Sequence, residues 1–197
     1  MRRIKNVQKE NGQMILGLDI STSCTGWCIL DRNESLVKMG FIQLSKTKCL
    51  FEKAQVVKEV MSQIHINYEI DSIRVEEDFQ SYRPGFSSAK TLSTLSKFNG
   101  IVSYICFEEF CINPKFINVN QARKSVGIKI KREKDCGKST KQQVLDWVCS
   151  KTDSTSHIWP VKILKSGPRK GQTILEPGCY DMADAYVIAV SANHMNI

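Results

Sequence analysis

Four acidic residues occupy unusual places in this 197-residue chain. Asp19 closes the otherwise apolar run MILGLD, and Glu76 follows the apolar end of IDSIRV. Asp181 and Asp184 are three apart at the start of an apolar stretch, so on a helix they share a face. Singly, each has a bland explanation, as a solvent-exposed strand end or a first-turn acid complementing the helix dipole. Together they form a set that repels itself unless some members protonate or a cation joins them. Oxygen donors suit Mg²⁺, with Mn²⁺ as a substitute, because these hard ions retain water for chemistry. Two such ions about 3.5–4 Å apart activate a water and stabilise the leaving oxygen in phosphodiester hydrolysis. The expectation is therefore a site with two ions and no small-molecule cofactor. Asp19, Glu76, Asp181 and Asp184 are the candidates to hold those ions. Glu77 and Asp78 are left out, since strand alternation turns Glu77 away from the face of Glu76.

The charge distribution suits that chemistry. The net charge is +8, and residues 120–171 carry 13 Lys/Arg against 4 Asp/Glu, which leaves the remainder near neutrality. A basic excess confined to one part of a chain is the footprint of a polyanion-binding face, and basic residues hold phosphates beside an acidic metal centre. Composition is that of a globular protein, with 42% hydrophobic and 24% charged residues. No apolar run approaches the roughly 20 residues of a membrane span. The basic start, MRRIKNVQKENGQ, lacks the apolar core of a secretory signal. The eight cysteines contain no CxxC pair and read as reduced thiols of a cytoplasmic protein. Zinc is disfavoured, because His65, His157 and His194 are scattered.

The elements that must position the acids follow from periodicity. Residues 14–19, 27–30 and 36–44 read as strands joined by the turns 20–26 and 31–35, an antiparallel meander. Residues 50–66 have helical spacing with one wide apolar face. A strand at 70–75 leads into the loop 80–86, and Ser87 caps a long helix reaching about Glu109. A short strand spans 116–119, and Asn120 caps a brief helix over 121–126. Ser139 or Thr140 caps another helix that includes Trp147 and Cys149. Residues 154–178 read as irregular, and the last helix runs from near Asp181 to about Asn193. The fold class is α/β, a mixed sheet flanked by helices. Residues 1–12 read as a flexible N-terminal arm and 13–197 as one domain.

Four segments in this order resemble the RuvC-like Holliday junction resolvases of the RNase H-like superfamily. ILGLDISTSCTGW at 15–27 resembles the family's first strand with its catalytic Asp and hairpin Gly. VEEDF at 75–79 resembles an I-E-x-x-F segment that places the second acid at Glu76. KQQV at 141–144 resembles a K-x-Q-V segment opening a helix near DNA. DMADA at 181–185 resembles an (H/D)-x-x-D-A helix start, and Asp181 in place of the frequent His keeps the site all-oxygen. The resemblance implies a five-stranded RNase H-like sheet, with the meander joined by two parallel strands. It implies a magnesium-dependent endonuclease that resolves four-way junctions by paired symmetric nicks, leaving 5′-phosphates and 3′-hydroxyls. Phe79 matches an aromatic that wedges at the junction, with Tyr82 and Phe86 as alternatives. QARKSVG at 121–127 resembles a segment with a basic residue near the scissile phosphate, which leaves Arg123 and Lys124 open. The resemblance also implies Lys141 as a DNA contact, and Asp19, Glu76, Asp181 and Asp184 as the metal-binding and catalytic set.

The partner expected from this resemblance is branched DNA, bound by a homodimer whose contact lies on the 87–109 helix. That helix carries more apolar residues (92, 95, 98, 101, 102 and 105) than one face needs. Segments 128–138 and 158–177 are basic insertions relative to the family, the second a candidate hairpin, and they look more like phage or viral members. Nucleases for flaps, forks or RNA–DNA hybrids use the same acids. A catalytically silent junction-binding protein is the non-enzymatic alternative.

Overall fold

Strand β1 (Met14–Ile20) is apolar at almost every position because helices cover both of its faces. In this computed structural model, which describes residues 14–77, 88–152 and 159–195, β1 lies at the centre of the sheet. It pairs antiparallel with β2 (Cys24–Leu30) and parallel with β4 (Ile70–Glu76). β3 (Leu36–Gln43) extends the meander beyond β2, and β5 (Lys115–Ile117) runs parallel beyond β4. The order β3-β2-β1-β4-β5 is the mixed five-stranded sheet expected from the sequence.

Alternation along β1 sorts its side chains between two cores. Leu16, Leu18 and Ile20 join Ile73 and Val75 of β4 beneath helices α1 (Leu50–Asn67) and α2 (Ala89–Phe110). Ile15, with Cys28 and Leu30 of β2, packs on the opposite side. That side is covered by α3 (Val119–Ser125), α5 (Thr140–Lys151) and α6 (Gly178–His194). A single turn, α4 (Glu133–Cys136), lies in the first basic insertion. In the second, β6 (Val161–Ile163) and β7 (Thr173–Leu175) form a separate antiparallel hairpin. Residues 154–178 are therefore less irregular than the sequence suggests.

Several boundaries differ from the sequence reading for local hydrogen-bonding reasons. β2 begins at Cys24 because Ser21 closes a tight turn, its Oγ donating to the Cys24 carbonyl at 2.6 Å and accepting from the Cys24 N–H at 3.1 Å. Ser88, not Ser87, caps α2 by accepting from the Thr91 N–H. Asn118, not Asn120, caps α3 by accepting from the N–H groups of Asn120 and Gln121. Val119 consequently belongs to α3 rather than to the preceding strand. α6 starts at Gly178, a turn earlier than the apolar pattern shows, so Asp181 lies inside its first turn. Ser139 is the cap of α5. All eight cysteines are free thiols. Among the described residues no helix is long and apolar enough to cross a membrane. The N-terminal arm, Ser87, and the aromatic candidates Phe79, Tyr82 and Phe86 lie outside the described residues.

Candidate active site

Two glycines set the position of the acids on α6. A Cβ on Gly26 would stand 2.0 Å from the Asp181 carbonyl oxygen, and one on Gly17 would stand 2.4 Å from that of Ala185. Only glycine lets the backbone of α6 lie this close to β1 and β2. Asp19 is the register partner of Gly26, so the helix turn carrying Asp181 rests directly beside it. The parallel pairing of Leu18 with Val75 brings Asp19 level with Glu76 on the neighbouring strand. Asp19 follows Ile15 and Gly17 by alternation, and Glu76 follows Arg74, so both face α6. The buried Asn99 of α2 donates from Nδ2 to the Glu76 carbonyl at 3.2 Å, which anchors the end of β4.

The electrostatics show the acids acting on one another. Burial pushes the Asp19 carboxyl well above its usual range, and Glu76, Asp184 and Asp181 add to the rise. Glu76 is also raised, by burial and then by Asp184; a hydrogen bond shared with Asp19, and the charges of Arg123 and Lys141, partly offset this. Arg123 Nη2 donates to Asp184 Oδ1 at 2.8 Å in a largely buried pair. Lys141 Nζ donates to Asp181 Oδ1 at 3.1 Å. Burial alone would lower the Lys141 ammonium, but Asp181, Asp19 and Asp184 reverse the sign and leave it raised. The Cys24 thiol, buried beside Asp181 and donating to it, is pushed up by burial and by that carboxylate. A cleft of about 550 Å³ opens beside Asp19 and Asp181, lined also by Ser23, Cys24, Lys141 and Tyr180; Glu76, Asp184 and Arg123 are not part of its lining.

The four sequence-derived acids thus interact within one site, together with Arg123 and Lys141. Lys124 stands exposed on α3, while Arg123 turns inward to Asp184. Among the described residues no three Asp, Glu, His or Cys side chains are arranged to grip a single ion. The hydrogen bonds account for this, because Asp181 points to Lys141, Asp184 to Arg123, and Asp19 to Glu76. The donor set nonetheless fits a hard divalent cation: every acid offers oxygen, and buried carboxyls that raise one another are relieved by added positive charge.

Four contributors escaped the sequence reading. Tyr180 Oη donates to Gln142 Oε1 at 2.9 Å and ties the first turn of α6 to that of α5, aligning Asp181 with Lys141. Gln142 lies within the KQQV segment, which is the one signal that could have marked it. Asn99 sits in an apolar helix and looks like an ordinary interruption. Arg74, two residues before Glu76 on the same face, is 7% exposed, and its Nε and Nη1 have no hydrogen-bond partner among the described residues.

No protein-family model matches the sequence. Curated proteins do. Over 152 residues the chain is 28% identical to the crossover junction endodeoxyribonuclease RuvC of Aliarcobacter butzleri, covering 76% of this chain and 90% of that protein. It is 28% identical over 123 residues to the protein of the same name from Campylobacter hominis, covering 61% and 73%. The chain is a homologue of RuvC. Solved structures share the fold. T. thermophilus RuvC in complex with Holliday junction substrate superposes with a TM-score of 0.59 at 14% identity, over 92% of this chain and 93% of that one. The yeast mitochondrial Holliday junction resolvase gives 0.56 at 16% identity, over 91% and 77%. RuvC homology and the shared mixed sheet bear out the family resemblance read from the four segments.

Proposed function

We propose that this protein is a divalent-metal-dependent endonuclease that resolves four-way DNA junctions by paired nicks. The observation carrying this reading is that Glu76, Asp184 and Asp181 stand close enough to Asp19 to raise its carboxyl, with Asp19 and Asp181 lining an open cleft, on the fold of a RuvC homologue. Asp19, Glu76, Asp181 and Asp184 would hold two Mg²⁺ ions, which supply a water activated at neutral pH and positive charge for the leaving oxygen. Arg123 fixes the orientation of the Asp184 carboxylate through a 2.8 Å charge-assisted hydrogen bond. Lys141, at the cleft wall, would offer its ammonium to a non-bridging phosphate oxygen. Tyr180 and Gln142 keep that lysine and Asp181 in register.

A four-way junction needs two cuts related by a two-fold axis, and a symmetric dimer supplies two sites so related. Tyr104 and Phe107, 62% and 45% exposed on α2, form an apolar stripe suited to that contact. Of the six apolar residues counted towards it from sequence, Phe98, Val102 and Ile105 are buried in the chain's own core, and Leu92, Leu95 and Ile101 are half-buried.

A mobile four-way junction incubated with Mg²⁺, with both nicks mapped, tests this reading. Paired nicks at symmetric positions are expected, with little cutting of flaps, three-way junctions or RNA–DNA hybrids. Asp19→Asn is expected to keep junction binding and to lower cleavage by a factor of about 10³ or more, since metal stabilisation is worth several kcal/mol. Cleavage by that variant at the wild-type rate, or faster cutting of another substrate in the panel, would overturn the assignment.

A further inference from the structure

We propose that the tip of the β6–β7 hairpin is a second DNA-binding element, gripping the phosphates of a duplex arm outside the catalytic cleft. This rests on the nucleic-acid reading above and deepens it. Residues 159–175 contain Lys162, Lys165, Arg169 and Lys170 and no acid. Lys162 leans on Glu176 at the base, with 3.8 Å between Nζ and Oε2. Lys165, Arg169 and Lys170 are exposed, and none of the three makes an ion pair among the described residues. In the first basic insertion Arg132 and Lys138 are already paired with Asp135 and Asp146, while Lys129, Lys131 and Lys134 are exposed without an ion pair among the described residues.

The tip is a built loop. The Leu164 N–H donates to the Gln172 carbonyl at 3.0 Å, and the Gly171 N–H returns to Leu164 at 2.9 Å. The Lys170 N–H donates to Gly167, and the Gln172 N–H to Arg169. Three cations are thereby presented together on a short, closed support. Beside them on β6, Val161 and Ile163 are 58% and 64% exposed, apolar surface that the sugar edge of a duplex would cover.

The hairpin's position couples it to the cleft. β7 runs directly into Pro177 and Gly178, which line the same cavity as Asp19 and Lys141. Arg169 precedes Pro177 by eight residues, so the tip stands at most about 28 Å from the cleft wall. With about 3.4 Å per nucleotide along a strand, this is within about eight nucleotides of a phosphate at the acids. A strand leaving the cleft along the hairpin passes Glu176, which Lys162 engages, and then meets the three cations of the tip.

The test is a salt titration of binding to a four-way junction and to a linear duplex, in Ca²⁺ so that binding is read apart from cutting. The full chain is compared with the triple variant Lys165→Gln, Arg169→Gln, Lys170→Gln. Each lost phosphate contact lowers the slope of log K against log salt by about 0.9, so a fall of about 2 to 3 is expected. Single variants, each expected to lower it by about 0.9, keep the test valid if the triple variant misfolds. The charge control is Arg32→Gln with Lys38→Gln, at the opposite end of the sheet, and its slope is expected to match wild type. An unchanged slope in the tip variants, or an equal loss per charge in the control, would overturn the proposal. Wild-type nicking of junctions is scored separately. A chain that binds through the tip but never nicks would refute the nuclease reading alone.

Discussion

The two faces of the sheet are built on different principles. Beneath α1 and α2 the packing is bulk apolar: Leu16, Leu18, Ile29, Ile73 and Phe98 are almost fully buried, and α2 carries one buried polar side chain, Asn99. Beneath α6 the strands present Gly17 and Gly26, the helix answers with Ala183, Ala185 and Ala189, and buried charges sit at one end. The first face draws its stability from apolar area, at about 25 cal/mol per Å². The second gives up side-chain volume so that a helix backbone can approach two strands and deliver carboxylates to a fixed place. This second face adds precision of placement to an apolar core of its own, built from Ile15, Leu30, Leu145, Met182 and Ile188.

The largest expected break in that comparison is Gly26→Val. Its side chain has nowhere to go but into the backbone of Asp181, and a loss of about 4 kcal/mol or more is expected, read as absence of a cooperative melting transition. A folded Gly26→Val with normal cleavage would show that α6 does not need that contact. Arg123→Ala comes next. It leaves Asp184 buried and unpaired, which costs about 3 kcal/mol in denaturant unfolding. Its counterpart on the other side, Lys58→Ala, removes an exposed pair with Glu108 and is expected to leave the unfolding midpoint in place. Equal effects of the two would erase the distinction between the faces.

A pH series sharpens the same point. Asp19 has a folded-state pKa raised above the ordinary value of 3.8. The unfolded chain therefore releases this proton more readily, and metal-free stability falls as pH rises from about 4 towards the raised value. Asp19→Asn does not titrate, so its metal-free melting temperature is expected to gain on wild type as pH rises. A gap that narrows with pH contradicts the burial argument. The smallest change is Gly100→Ala on α2, where a new Cβ meets nothing within 4 Å. A gain of about 1 kcal/mol is expected from helix propensity, and a loss would mean that another chain lies over that turn.

Much of this was legible in the sequence. Apolar alternation gave the sheet and the long helices, and the odd placement of Asp19, Glu76, Asp181 and Asp184 singled out the acids before any coordinates. The helix starts were misplaced by one to three residues because Ser87 and Ser88, or Asn118 and Asn120, are equally good caps by type. Only the hydrogen bond decides between them. Arg123 and Lys124 could not be separated in sequence, since a short helix turns one inward and the other out. The partnership of Tyr180 with Gln142 was hidden because it joins residues 38 apart through tertiary packing.

On the proposed reading, three separate stretches of chain hold ions in common. Fe²⁺ bound in place of Mg²⁺, with ascorbate and peroxide, cuts the backbone only near the ion. Scission is expected near Asp19, near Glu76 and within 178–184, all suppressed together by excess Mg²⁺ and lost in Asp19→Asn. Scission at one of these stretches alone, or cuts that Mg²⁺ does not suppress, would contradict the shared site.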